Sequence, residues 1–189
     1  MRIVSFALIL YCLPFLGCAG SIKPTYPFPD LGNSGASGNP AELDRGITVY
    51  IDRFIDDRAV REIVIGDSES ALGEGDAGLP ISRALTKAFA GRGITSSDSA
   101  PLILSGAVKE WYARVTGGIG GGITAEARIS VNLSNPADEQ LYSALYSGSA
   151  EYSGGFSRKE FERVMVAAMQ EAVAQVVADQ KLILLIESY

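Results

Sequence analysis

The chain has 189 residues, with 16 basic and 22 acidic side chains, 47% apolar residues, two cysteines and no histidine. That length suits one domain of ordinary size. The missing histidine excludes His-based triads, histidine metal sites and histidine pH switching, and a formal charge of −6 disfavours nucleic acid as a partner.

The first residues have the layout of an export signal. Arg2 is the only charge before Cys18, Ile3 to Leu16 is an apolar run, and small residues flank the cysteine. The run is shorter than the ~20 residues that a spanning helix needs. Phe15-Leu16-Gly17-Cys18 resembles the bacterial lipobox, with Phe15 where leucine is usual, whereas Cys12 follows bulky Tyr11 and fits worse. The reading is a signal peptide over residues 1–17 and lipidation of Cys18. Both cysteines lie in this segment, so the folded body has neither a disulfide nor a thiol, and thiolate zinc sites and cysteine nucleophiles are excluded. Each buried methylene contributes about 0.8 kcal/mol, so several acyl chains hold a protein stably on a membrane. Resemblance to bacterial lipoproteins implies several chains on Cys18. With Ala19 in place of an aspartate, it also implies an outer-membrane anchor facing the periplasm. Losing Arg2 with the signal takes the formal charge from −6 to −7.

Residues 18–44 read as the lipidated N-terminus and a tether. Pro24, Pro27, Pro29 and Pro40 stiffen it, and Gly35, Ser37 and Gly38 loosen it. Tyr26 and Phe28 interrupt this polar stretch, and either the lipid interface or the domain could take them. Residues 45–189 are expected to form a single periplasmic α+β domain.

Ile47, Val49 and Ile51 alternate with polar residues and predict a strand, and Asp56-Asp57-Arg58 predicts a turn. Ile63-Val64-Ile65 predicts a second short strand, followed by a polar loop over Asp67 to Gly78. Pro80 opens a helix with Ile81, Leu85, Ala88 and Phe89 on one face, ended at Gly91 or Gly93. Leu102 to Thr116 predicts a long strand whose inward parity changes, which a bulge near Lys109-Glu110 would reconcile. After Gly117 to Gly122, the residues from Ile123 to Leu133 alternate strictly, and Gln140 to Tyr152 forms a third strand. Two short connections predict an antiparallel meander. Ser157 and Glu160 have the spacing of a capping box. Phe161, Val164, Met165, Ala168, Met169, Ala172, Val173, Val176 and Val177 then trace an amphipathic helix. Leu182 to Ile186 is apolar all round and is expected to be buried or covered by a partner.

The chemical motifs are weak. Gly73, Gly75 and Gly78 match G-x-G-x-x-G, but Glu74 and Asp76 would set negative charge beside a pyrophosphate, and the strands downstream are a meander rather than βαβ repeats. Asp52, Asp56 and Asp57 have neither calcium-loop spacing nor a defined carboxylate pair. No cofactor, metal or catalytic residue is expected. Tyr142, Tyr146 and Tyr152 share one face of the third strand and read as core or as a binding strip. Trp111 reads as a core anchor or a ligand platform. Gly118, Ile119 and Gly120 form the tip of a hairpin loop that could contact a partner.

Leu85 to Ile94, Leu102 to Leu104, Ile123 to Val131, Tyr146-Ser-Gly148 and Gly154-Gly-Phe156 before the long helix resemble the YajG-type family of uncharacterised bacterial lipoproteins. The resemblance spans roughly Ile47 to Ile186 and implies a β-α-β-β-β-α domain on an outer-membrane anchor. It brings no established catalytic residues. The combined expectation is an antiparallel sheet with two helices packed on one face, acting as a non-enzymatic binding or assembly module of the cell envelope. Its partners would be the membrane, through acyl chains on Cys18, and an envelope protein, reached through a sheet edge or through Gly118, Ile119, Gly120, Trp111, Tyr142 and Tyr146. The alternative is a periplasmic carrier of a glycan, lipid or peptide. The oligomeric state stays open.

Overall fold

The computed structural model describes residues 25–27, 46–59, 62–65, 69–74, 76–116 and 121–189. Cys18, the signal segment, most of the tether and Gly118, Ile119 and Gly120 lie outside these residues. In chain order the elements are β1 (Thr25–Pro27), β2 (Ile47–Ile51), β3 (Ile55–Asp56), β4 (Glu62–Ile65), β5 (Glu69–Glu74), α1 (Gly78–Ala90), β6 (Ile94–Ser96), β7 (Ile103–Thr116), β8 (Gly122–Ser134), β9 (Gln140–Ser153), α2 (Arg158–Ala178) and α3 (Gln180–Glu187).

The meander is present and antiparallel. β7 pairs with β8 from Ile103↔Ser134 to Thr116↔Gly122, and β8 pairs with β9 from Gly122↔Ser153 to Ser134↔Gln140. The register shifts between Val108 and Glu110. That bulge switches the inward parity from Leu104 and Val108 to Trp111, Ala113 and Val115, all of them buried. In β8 every second residue from Ile123 to Leu133 is buried, as its alternation requires.

The whole sheet is mixed, however, and the expected antiparallel sheet and β-α-β-β-β-α order are corrected. β2, β3 and β4 run one after another along the other side of β7, all parallel to it, through Tyr50↔Ile103, Ile55↔Ala107 and Val64↔Arg114. β2 also pairs in parallel with β6. α1 supplies the physical reason. It carries the chain back to the end where β2 begins, so the strands after it start in the same direction, as in any crossover connection. β5, expected to be loop, pairs antiparallel with β4, and β1, expected to be tether, pairs in parallel with β5. Asp56, expected in a turn, lies in β3.

The inner face of the sheet and all three helices share one apolar cluster. α1 ends at Ala90 with Gly91 as its C-cap, one of the two expected stops, and Gly93 then turns the chain with a φ of +79° that is costly for other residues. At the start of α2 the Ser157 hydroxyl accepts from the Glu160 amide at 3.2 Å, while the Glu160 carboxylate pairs with Arg163 at 2.5 Å. α2 lies so close to β9 that a Cβ at Gly148 would come within 2.0 Å of the Ala168 carbonyl oxygen. The chain then breaks at Asp179. Its carboxylate accepts from the Lys181 and Leu182 amides at 2.9 and 3.2 Å and caps α3, so the last apolar segment is a separate helix. Leu182, Ile183 and Ile186 are buried, whereas Leu184 is exposed.

Candidate functional site

Among the described residues β9 is paired on one side only, by β8, and its fourteen residues form a long open edge. The ladder fixes which backbone groups face outward. The Ser149 amide points away from β8 and donates to the Glu171 carboxylate at 2.7 Å. Alternation by two then turns the amides and carbonyls of Ser143, Leu145 and Ser147 outward as well. Glu171 reaches over from α2 and occupies one outward donor, the kind of charged cover that natural edges carry. The stretch from Ser143 to Ser147 has no such cover among the described residues. Its charge is zero, it has no proline, and Leu145 at its centre is 57% exposed.

The outer face beside this edge is polar. Arg128 donates to Glu110 at 3.0 Å, and the Tyr112 hydroxyl donates to Glu126 at 2.7 Å. The hydrogen bond to Glu126, with burial and nearby negative charge, raises the Tyr112 pKa. A shallow cavity of about 130 Å³ lies here, between the Glu110–Arg128 pair and Ser147 and Ser149. It has the size of a few water molecules, smaller than pockets that enclose a ligand.

Trp111, Tyr142 and Tyr146 sit on the opposite, inner face. The Trp111 ring is buried, and its indole Nε1 donates to the Met165 carbonyl at 3.0 Å. α2 fills the space over it, so the ring has no free face for a ligand. Tyr146 is buried and Tyr142 half-buried, and their hydroxyls donate to the Asp179 carboxylate at 2.8 and 2.6 Å. Burial, with the link to Tyr142 and Asp179, pushes the Tyr146 hydroxyl far above its ordinary pKa. Burial works to raise the Asp179 pKa too, but the hydrogen bonds from both tyrosines and from the Leu182 and Lys181 amides outweigh it and hold the carboxylate below its ordinary value. The cluster ties the α2–α3 break to β9. Asp179 was not singled out by the sequence reading, although an aspartate just before an apolar helical turn is a cap signal.

The three aspartates of the first half do not converge. Asp52 accepts from the Arg53 amide at 2.7 Å, and Asp57 pairs with Lys109. Asp56 holds Arg58 by two bonds, at 2.7 and 2.8 Å, with both side chains almost fully buried. The hydrogen bond from Arg58 overcomes burial and lowers the Asp56 pKa. Asp56 and Asp57 neutralise separate cations, and Asp52 serves a backbone amide. Among the described residues no cluster of three or more acidic side chains is placed to hold a metal ion. No described helix is long and apolar enough to cross a membrane. The expected contacts at Gly118, Ile119 and Gly120 fall outside the described residues.

No protein-family model and no curated protein matches the sequence. Solved structures do. A DUF330 protein from Xanthomonas campestris superposes with a TM-score of 0.51 at 15% identity, over 87% of this chain and 96% of its own. The two share a fold. A lipoprotein candidate from Caulobacter crescentus CB15 gives 0.47 at 13% identity, over 80% of this chain and 100% of its own. A minor lipoprotein from Acinetobacter baumannii gives 0.44 at 9%, over 69% and 86%.

Proposed function

We propose that this protein is a lipid-anchored component of the bacterial cell envelope, held to the outer membrane through Cys18, whose folded domain is a non-enzymatic docking module. It binds an envelope protein by strand addition to the open edge of β9. The observation that carries this reading is the outward row of backbone groups at Ser143, Leu145 and Ser147 on a fourteen-residue strand paired on one side among the described residues. An added strand gains main-chain hydrogen bonds from such an edge and side-chain contacts at alternate positions. The serines impose little steric demand, and Leu145 offers one apolar anchor. The carrier reading has less to rest on, because Trp111 and Tyr146 are core residues under α2.

The test uses a photo-crosslinking residue at position 145 in the full-length chain, expressed in its own envelope. A discrete adduct is expected, and Leu145→Lys, which places a charge on the edge, should abolish it when the crosslinker sits at position 143. The same crosslinker at exposed Ile55 serves as the comparison. Equal yields at 55 and 143, unaffected by the lysine, would remove the edge from the account.

A further inference from the structure

The position of β1 carries an inference about how the domain stands on its membrane, and it rests on the lipid-anchor reading above. A tether running from Cys18 to residue 44 would let the domain tumble freely. β1 changes that geometry. Thr25, Tyr26 and Pro27 are in register with Leu72, Gly73 and Glu74 at the outside of β5, and proline is tolerated in such an edge strand. The leash from the anchor to the folded body is therefore seven residues long, from Cys18 to Thr25. Fully extended it reaches about 25 Å, at roughly 3.6 Å per residue. The remaining residues up to Gly46 become a connection between two strands of the domain and add nothing to the height.

The leash is attached at one margin of the sheet. From β1 the path crosses β5, β4, β7 and β8 before it reaches β9. Five strand spacings of about 4.8 Å put the β9 edge ~24 Å from β1. Leash and sheet width are thus of similar length. Charge decides how the body uses the slack. The mature chain is strongly acidic, having lost one of its 16 basic residues with Arg2 and none of its 22 acidic ones. Laying the sheet flat would bring the body of this acidic chain, with a formal charge of −7 once Arg2 is lost, within about 8 Å of anionic headgroups, the range over which charge is felt at physiological salt. The short leash holds the β1 margin down, and like charge lifts the rest.

We infer that the β1–β5 margin faces the bilayer and the β9 edge points away from it, so that the partner-binding edge is presented to molecules beyond the lipid surface. The mature chain has no cysteine besides Cys18, so single cysteines can be labelled cleanly. The acylated full chain, carrying a dye at Thr25→Cys or at Ser147→Cys, is bound to phosphatidylethanolamine–phosphatidylglycerol vesicles containing an acceptor lipid. Energy transfer is expected to be roughly threefold or more stronger from position 25, given the ~24 Å offset. Ser70→Cys on β5 repeats the measurement if the first variant folds poorly. A Gly-Ser insertion of about 20 residues after Ala19 should bring the two positions together by lengthening the leash. Equal transfer from 25 and 147 in acylated, vesicle-bound protein overturns the orientation and leaves the anchor standing. A mature N-terminus without acyl mass, on protein that does not bind vesicles, overturns both.

Discussion

The ladder of β7, β8 and β9 and the broken run of β2, β3 and β4 belong to one sheet but are held in different ways. The ladder is continuous, antiparallel and backed by α2, with Trp111, Ile129, Val131 and Met169 in its core. The run is parallel to β7, interrupted twice, and fixed at intervals. The Tyr50 amide donates to the Leu102 carbonyl at 2.8 Å, Asp52 to Leu104 at 2.9 Å, and Asp57 to Val108 at 3.0 Å. Between these points Phe54 drops into the core, its amide held by the Ser82 hydroxyl at 2.9 Å, and the buried Asp56–Arg58 pair closes the end. One region is stabilised by continuous apolar contact, the other by specific polar ties. Their failures should therefore differ in kind.

The largest loss is expected from the ladder. Trp111→Ala should cost about 4 kcal/mol, because it leaves a cavity under α2 and removes the indole's hydrogen bond to the Met165 carbonyl. The urea midpoint should fall while unfolding stays cooperative. Arg58→Ala comes next, at roughly 3 kcal/mol, since it strands the Asp56 carboxylate in a buried site. Here the effect should be local. Hydrogen exchange at the Tyr50, Asp52 and Asp57 amides should speed up, while the β8 amides keep their protection. Equal acceleration in both regions would show that the run and the ladder open together.

The third expectation concerns acid. Asp56 and Asp179 have folded pKa values below the ordinary carboxylate value of about 3.9. Their stabilisation is fully present above that value and is lost as pH falls through the lower, folded values. Asp179→Asn should flatten part of the acid limb of the urea midpoint and cost about 1 kcal/mol at neutral pH through weaker hydrogen bonds from the Tyr142 and Tyr146 hydroxyls, since asparagine caps a helix about as well as aspartate. An unchanged acid limb would assign the acid sensitivity to the other lowered carboxylates, Asp56 and Asp76. The smallest effect is expected from Leu145→Lys, within about 0.5 kcal/mol, because the side chain is exposed on an outward edge.

The same contrast governs what could be read from the residues. β8 alternates without a break because one face is packed and the other wet, so its faces and even the Lys109 bulge in its neighbour were legible. β5 was not, since Glu69-Ser-Ala-Leu-Gly-Glu74 has little strand propensity and owes its conformation to pairing with β4. Parallel pairing leaves no local signature either, because it depends on where α1 returns the chain. The tyrosine face of β9 was legible as a face, but its partner Asp179 is 33 and 37 residues away from Tyr146 and Tyr142. Leu145, the residue on which the proposed contact turns, is one apolar position in an outward row of serines. Only the sheet order shows that this row borders an open edge.

The most direct measurement is amide hydrogen exchange at Ser143, Leu145 and Ser147 in the full-length protein, alone and in the complex that the proposed docking predicts. These three amides should slow by about tenfold or more on binding, as they gain an added strand, with Tyr142, Ala144 and Tyr146 little changed because β8 already holds them. Unchanged rates at 143, 145 and 147 in a complex that has formed would contradict it.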